Sequence, residues 1–278
     1  MSSAMTLRGK LALAQVTDTG RVREHNEDAI GSSRDIGLLV LADGMGGYNA
    51  GEVASGIAVK TVIELVSEAC LREKREAPDA STGLMRQTII LRDAIMRANK
   101  IIYNTSKTQL HCEGMGTTIV ACLFWDDRIS IAHVGDSRLY RLRGNKLEQL
   151  TMDHSLLQEL VDRGFYSQEE AQRSTNRNYV TRALGVEATV EVEIGEERVQ
   201  PGDHYLLCSD GLPDMVEDED IHITINTFNA NLDMVGKQLV QLSNDNGGKD
   251  NVSVVLAHVL DSFPASTGLL TRIRRLFG

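Results

Sequence analysis

Aromatic side chains are scarce in this chain: five Phe, six Tyr and one Trp, 4% of 278 residues. The core therefore has to rest on Leu, Ile, Val, Ala and Met. Basic charge is also short, with 29 Lys and Arg against 39 Asp and Glu and a formal net charge of -10. That balance argues against a nucleic-acid partner, whose recognition would need a basic footprint. No stretch approaches the roughly 20 apolar residues of a membrane span. The first ten residues lack the apolar segment of a secretory signal. Cys70, Cys112, Cys122 and Cys208 show no Cys-x-x-Cys spacing and read as reduced core residues. These absences set the expectation of a cytoplasmic protein, without a membrane span and monomeric.

What is present is ordinary in bulk, 42% hydrophobic and 24% charged, as expected of a soluble globular protein. The length allows one large domain or two small ones. No repeat, low-complexity segment or linker divides it. Leu11 to Thr17 and Leu38 to Ala42 read as strands. Ala50 to Cys70 and Leu84 to Tyr103 carry helical apolar spacing, separated by a charged stretch from Arg72 to Ser81. Two hairpins are expected, Thr117 to Val134 across Asp126-Asp127 and Arg138 to Leu150 across Gly144-Asn145. A short helix over His154 to Arg163 precedes a polar segment at 165–178, which reads as a functional flap. Strands over Thr189 to Ile194, His204 to Cys208 and Val252 to Val259, with a helix over Asn231 to Ser243, complete the pattern. Two antiparallel sheets carrying pairs of helices, an α+β sandwich, is the economical arrangement.

Three apolar runs end abruptly at an Asp beside a Gly: Leu38 to Ala42 at Asp43-Gly44, Ile129 to Val134 at Gly135-Asp136, and Tyr205 to Cys208 before Asp210-Gly211. Asn26-Glu27-Asp28 and Asp250-Asn251 flank other strand-like stretches. A buried strand ending in a bare carboxylate is costly unless the charge is compensated. Repetition of that choice points to strand ends converging on positive charge, and oxygen ligands alone favour Mg²⁺ or Mn²⁺.

Other chemistries lack their signatures. The acidic set spans too much chain for an EF-hand loop, and His111-Cys112 has no second pair to make a zinc site. A cysteine phosphatase loop starting at Cys112 would need Arg at 118, which is Thr. There is no Walker loop, no complete dinucleotide fingerprint and no Gly-x-Ser-x-Gly elbow. Metal-assisted hydrolysis is what remains.

Arg23-Glu24-His25-Asn26-Glu27-Asp28 and Asp43-Gly44-Met45-Gly46-Gly47, followed in order by Gly116-Thr117-Thr118, Gly135-Asp136-Ser137-Arg138, Asp153-His154-Ser155, Ser209-Asp210-Gly211-Leu212 and Asp250-Asn251, closely resemble the PPM (PP2C-type) metal-dependent protein serine/threonine phosphatases, in their compact bacterial form. The resemblance runs over about residues 9–260 and leaves 261–278 as a tail. It implies a four-layer α+β sandwich of two antiparallel β-sheets flanked by pairs of helices. It also implies two Mn²⁺ or Mg²⁺ ions, with a third at a weaker site, and phosphorylated proteins as substrates, opposing a cognate Ser/Thr kinase.

By the same resemblance, Asp43 bridges the two ions and the Gly44 carbonyl completes one of them, while Asp210 and Asp250 hold the other. Glu27 and Asp28 act through metal-bound waters, and Asn251 orients the ligands around them. Asp136 joins Asp210 at the third site, or else merely anchors its own turn to Arg138. Arg23 binds phosphate through its planar fork, and a metal-activated water attacks phosphorus directly. His154 reads as a hydrogen-bonding group at a helix start. Met45 stands where many eukaryotic members carry His, and it cannot donate a proton, so a metal-bound water is expected to protonate the leaving group. The basic segment Leu269 to Phe277 reads as a frayed tail with an amphipathic pattern. Two rivals remain: a catalytically silent phosphoprotein-binding module on the same fold, and a small-molecule phosphoesterase.

Overall fold

The computed structural model describes residues 7–47, 50–72, 79, 83–167, 170 and 179–264. Most of the flap at 165–178, the basic tail and much of the charged stretch from Arg72 to Ser81 lie outside the described residues.

The chain forms two sheets in which every strand pairing is antiparallel. Strands β1 (Leu11–Asp18), β2 (Asp28–Ser33) and β3 (Leu38–Met45) come first. The short β4 (Gly116–Thr117), β5 (Ile119–Trp125), β6 (Arg128–Val134), β7 (Arg138–Arg143) and β8 (Lys146–Gln149) follow. Last come β9 (Glu193–Arg198), β10 (His204–Cys208) and β11 (Val252–Val259). One sheet has the order β1-β11-β10-β7-β8; the other is β2-β3-β5-β6-β9, with β4 paired to β3.

The strand period of two decides what faces what. In β3, Leu39 and Leu41 point between the sheets, where they meet Val120, Phe124, Tyr205, Leu207 and Val255. Leu38, Val40 and Ala42 point the other way, onto helices α1 (Ala50–Arg72) and α2 (Arg86–Thr108). On the far side of the other sheet, Tyr140, Leu206, Val254 and Leu256 pack against α4 (Asp218–Phe228) and α5 (Leu232–Asp245). Three apolar layers thus separate helices, sheet, sheet and helices: the expected four-layer sandwich. The few aromatics are used economically. Phe124 meets Tyr205 edge-on at 5.2 Å between the sheets.

The Asp126-Asp127 hairpin is present, and both residues take positive φ, 45° and 56°, as a tight turn matching strand twist requires. Elsewhere the expectations need correction. The strand expected over Thr189 to Ile194 lies at Glu193–Arg198, because this charged edge segment is fixed by pairing with β6 from Arg128↔Arg198 to His133↔Glu193. The strand-like stretch beside Asn26-Glu27-Asp28, given no bounds from the sequence, is β2; helix α4 was not foreseen. The helix expected from His154 is α3, Leu156–Asp162; Ser155 is its cap, accepting from the Gln158 amide at 3.2 Å.

Candidate metal and phosphate site

All the acidic strand ends emerge at one end of the two sheets. In the β2–β3 pair Asp28 lies opposite Asp43, so two carboxylates share one rung. Asp43 is held by its backbone: its N–H donates to Thr118 Oγ1 at 3.0 Å, and its carbonyl accepts from Thr117 Oγ1 at 2.8 Å and the Thr118 amide at 2.9 Å. Gly44 has a reason independent of any ligand role. A Cβ there would come within 2.2 Å of the Gly51 carbonyl oxygen and 2.5 Å of that of Glu27. The first turn of α1 therefore sits directly on Gly44. Glu27 is tied into the same knot, its carbonyl accepting from Ser55 Oγ at 2.6 Å and its Oε1 from the Gly51 amide at 3.2 Å.

The other sheet supplies Asp210, just past β10, and Asp250, just before β11. Ser209 links the two sheets: its hydroxyl donates to Asp28 Oδ2 at 2.8 Å and accepts from the Ser253 amide at 3.0 Å. Asn251 braces the loops that carry Glu27 and Asp250. Its Oδ1 accepts from the Glu27 amide at 2.8 Å, and its Nδ2 donates to the carbonyls of Thr19 and His25, each at 2.9 Å. Arg23 reaches Asp250 Oδ2 at 2.6 Å from a largely exposed position. Its guanidinium is the cation nearest this acidic ring, and the bond to Asp250 raises its pKa further.

Apart from the Arg23 pairing of Asp250, the ring sets carboxylate against carboxylate. Burial, then the charges of Asp28, Asp210, Asp136 and Asp250, push the Asp43 carboxyl well above its ordinary range. Burial does the same to Asp210, followed by Asp136 and Asp250. Burial lifts Asp28 to about 6 against the opposing hydrogen bonds from Ser253 and Ser209. Asp28 Oδ1 is buried with no hydrogen-bond partner. An orphaned carboxylate oxygen inside a ring of further carboxylates, all oxygen donors, fits a hard divalent cation. The ring is open rather than a tight cage. Among the described residues, the one trio of His, Cys, Asp or Glu with ligand atoms all within 4.8 Å of one another is His133, His154 and Glu193, elsewhere.

Asp136 is buried in the turn after β6, and burial followed by the Asp153 charge lifts its pKa to about 6. It does not anchor Arg138. That guanidinium instead forks onto Asp153, with Nε 3.0 Å and Nη2 2.7 Å from Oδ2.

The residues that sequence reasoning did not assign are the supports: Ser55, Thr117, Thr118, Asp153 and Ser209. Four of them stand inside the quoted motifs, yet their partners lie elsewhere in the sequence; Ser209 and Asp28 are 181 residues apart.

The protein phosphatase 2C family profile matches residues 19–257. The serine/threonine phosphatase Stp of Listeria welshimeri is 39% identical over 249 residues, 86% of this chain and 92% of that protein. The crystal structure of the Mycobacterium tuberculosis serine/threonine phosphatase PstP/Ppp superposes with a TM-score of 0.79 at 36% identity, over 90% of this chain and 99% of the other. The catalytic domain of PstP in complex with two manganese ions gives 0.76 at 37% identity, over 90% and 99%. With the acidic ring and its supports in place at the sheet ends, these likenesses show that the chain belongs to the protein phosphatase 2C (PPM) family, in its bacterial serine/threonine phosphatase branch.

Proposed function

We propose that this chain removes phosphate from phosphoserine and phosphothreonine in proteins, using two divalent cations, Mn²⁺ or Mg²⁺, held at the acidic ring, with a third at Asp136. The observation that carries the reading is the convergence of Asp28 and Asp43 from one sheet with Asp210 and Asp250 from the other, around a buried carboxylate oxygen that has no protein partner. The PstP structure with two manganese ions supports it from outside. The catalytic unit is residues 9–260.

Asp43, the Gly44 carbonyl, Asp210 and Asp250 would hold the ions between the two sheets. Divalent ions bound there supply acidification of water and neutralisation of phosphoryl charge. Asp28, fixed by Ser209 on Oδ2, leaves its other oxygen to accept a proton or a water hydrogen in the cleft. Glu27 and Asn251 hold the loops that carry these groups. Arg23 presents two parallel N–H donors suited to a phosphoryl group. Its bond to Asp250 is a resting arrangement, which a phosphate in the cleft would exchange for the stronger fork. The side chain is exposed enough to make that swing.

Hydrolysis leaves a free hydroxyl that only a phosphoryl donor can reverse, so the reaction is the opposing half of a Ser/Thr kinase cycle, placed in the cytoplasm and carried out by a monomer. The test is hydrolysis of a phosphothreonine peptide with and without Mn²⁺ by the wild type and Asp43→Asn. Mn²⁺-dependent turnover lost by at least about a hundredfold in the variant is expected; truncating a single group that acts in the transition state costs about that much. Equal rates would defeat the mechanism. An inactive wild type that still binds the peptide would make the chain a binding module. Faster turnover of small phosphoesters than of peptides would move it to the small-molecule class.

A further inference from the structure

His154 lies outside the acidic ring, yet it bonds to the Asp136 turn through both its ring and its backbone. The Gly135 amide donates to His154 Nδ1 at 3.1 Å, and the His154 amide donates to the Gly135 carbonyl at 3.0 Å. Gly135 is thus gripped at both of its backbone polar groups by one residue. Its φ of +106° and the 2.7 Å approach of Thr118 to a hypothetical Cβ leave it no other side to lean on. Beyond the turn, Ser137 Oγ is bonded to Thr118 Oγ1 at 2.7 Å, and Arg138 is forked onto Asp153, the residue before His154. Asp153 and His154 therefore hold the two ends of the four-residue turn that has Asp136 inside it.

The hydrogen bonds fix the tautomer. Nδ1 faces the Gly135 N–H and offers it a lone pair, so the neutral ring carries its proton on Nε2, which donates to Glu193 Oε2 at 3.1 Å, the closer of its two neighbours; Arg182 Nη1 lies 3.3 Å away. His133 stacks on the ring at 4.7 Å between centroids, its own Nε2 bonded to the Met152 carbonyl at 2.8 Å. The same assignment disposes of His133, His154 and Glu193 as a metal site. A metal on His154 Nε2 would force a proton onto Nδ1, directly against the Gly135 amide.

We propose that His154 is a positioning residue for the third cation: its Nδ1 lone pair, oriented by Glu193 and by stacking on His133, fixes the Gly135 peptide and so aims the Asp136 carboxylate. This rests on the reading of Asp136 as a metal ligand, and it assigns His154 a role through the turn, with no contact to substrate. Groups that orient ligands in this way typically account for about tenfold to a hundredfold in metal affinity.

The experiment is Mn²⁺ titration of the metal-free full chain by calorimetry, with manganese electron paramagnetic resonance to count bound ions. Asp136→Asn identifies the weak step. His154→Leu, or His154→Gln if the leucine variant fails to fold, removes the acceptor at the Nδ1 position; His154→Asn restores it, because Asn Oδ1 falls where Nδ1 was. The expected result is a weak step at least about tenfold weaker in the Leu or Gln variant, unchanged tight steps, and near-wild-type binding in the Asn variant. A weak step unaltered by the Leu or Gln change overturns the proposal. So does equal loss in the Asn variant, which would make ring packing the cause. A wild type that binds two ions and no third overturns the role of Asp136 and this proposal together, while leaving the two-cation phosphatase reading standing.

Discussion

Replacing Asp28 by Asn should stabilise the metal-free protein at neutral pH while impairing catalysis. In the fold the carboxyl titrates near 6, against an ordinary value of 3.8, chiefly because it is buried. Between those two values the folded chain binds more protons than the unfolded one, so stability falls as pH rises through the interval and levels off above it. At about 1.4 kcal/mol for each pH unit separating the two titrations, the penalty at pH 7.5 is about 3 kcal/mol. Partial exposure and relaxation of neighbours bring the recoverable gain to about 2 kcal/mol. Asn keeps an oxygen for the Ser209 hydroxyl, which now donates to Asp28 Oδ2, and carries no charge into the ring. For a chain of this size, about 2 kcal/mol corresponds to about 4–8 °C in Tm. Thermal melts in EDTA from pH 4 to 8 read it directly. Wild type and variant should coincide near pH 4 and diverge steadily to pH 7, with the variant higher. Saturating Mn²⁺ should reverse the order, since only a bound ion compensates the wild-type charge. A variant less stable than wild type at pH 7.5 in EDTA, or a gap independent of pH, would refute the reasoning.

Two more predictions concern parts of the fold away from the cations. Asp203 is almost fully buried and takes a fork from Arg143, with Nε 2.8 Å from Oδ1 and Nη2 2.7 Å from Oδ2; Arg143→Met should cost about 3 kcal/mol in urea unfolding by stranding that charge, with Mn²⁺ affinity unchanged. His204 is buried, stacked on His258 at 4.0 Å with its Nε2 unpartnered, and burial followed by the His258 charge lowers its pKa. Its neutral form is the one that folds, so stability should decline as pH falls below about 6.5, the ordinary His value. His204→Leu should flatten that acid limb in denaturation curves taken from pH 7.5 to 5.

The parts of the fold that were legible are those where one element decides its own conformation. Leu38 to Ala42 is apolar on both faces and could only be a strand buried between layers, and Asp126-Asp127 could only be a hairpin tip. Strand β2, Asp-Ala-Ile-Gly-Ser-Ser, has little propensity of its own and exists because it pairs along β3. Helix α4 carries Ile-His-Ile-Thr-Ile, a strand-like run, and is made helical by seating Ile221, Thr224 and Ile225 against the sheet. In both, tertiary pairing overrides local preference. The aspartates were readable because an apolar run stopping at a carboxylate is locally anomalous. Ser209, Thr118 and His154 were not, since nothing nearby in sequence signals which distant atom a hydroxyl or imidazole will meet.

Neither sheet owns the acidic ring. Asp28 and Asp43 ride on one slab, Asp210 and Asp250 on the other, and between the slabs lie interdigitated apolar side chains, with Ser209 and Asn251 bridging at the acidic end. Without ions, that end of the sandwich faces carboxylates on one sheet with carboxylates on the other. Cations held there, as the proposed function has it, would draw the two sheets together, so the metal would fasten the two halves of the fold as well as serve the chemistry.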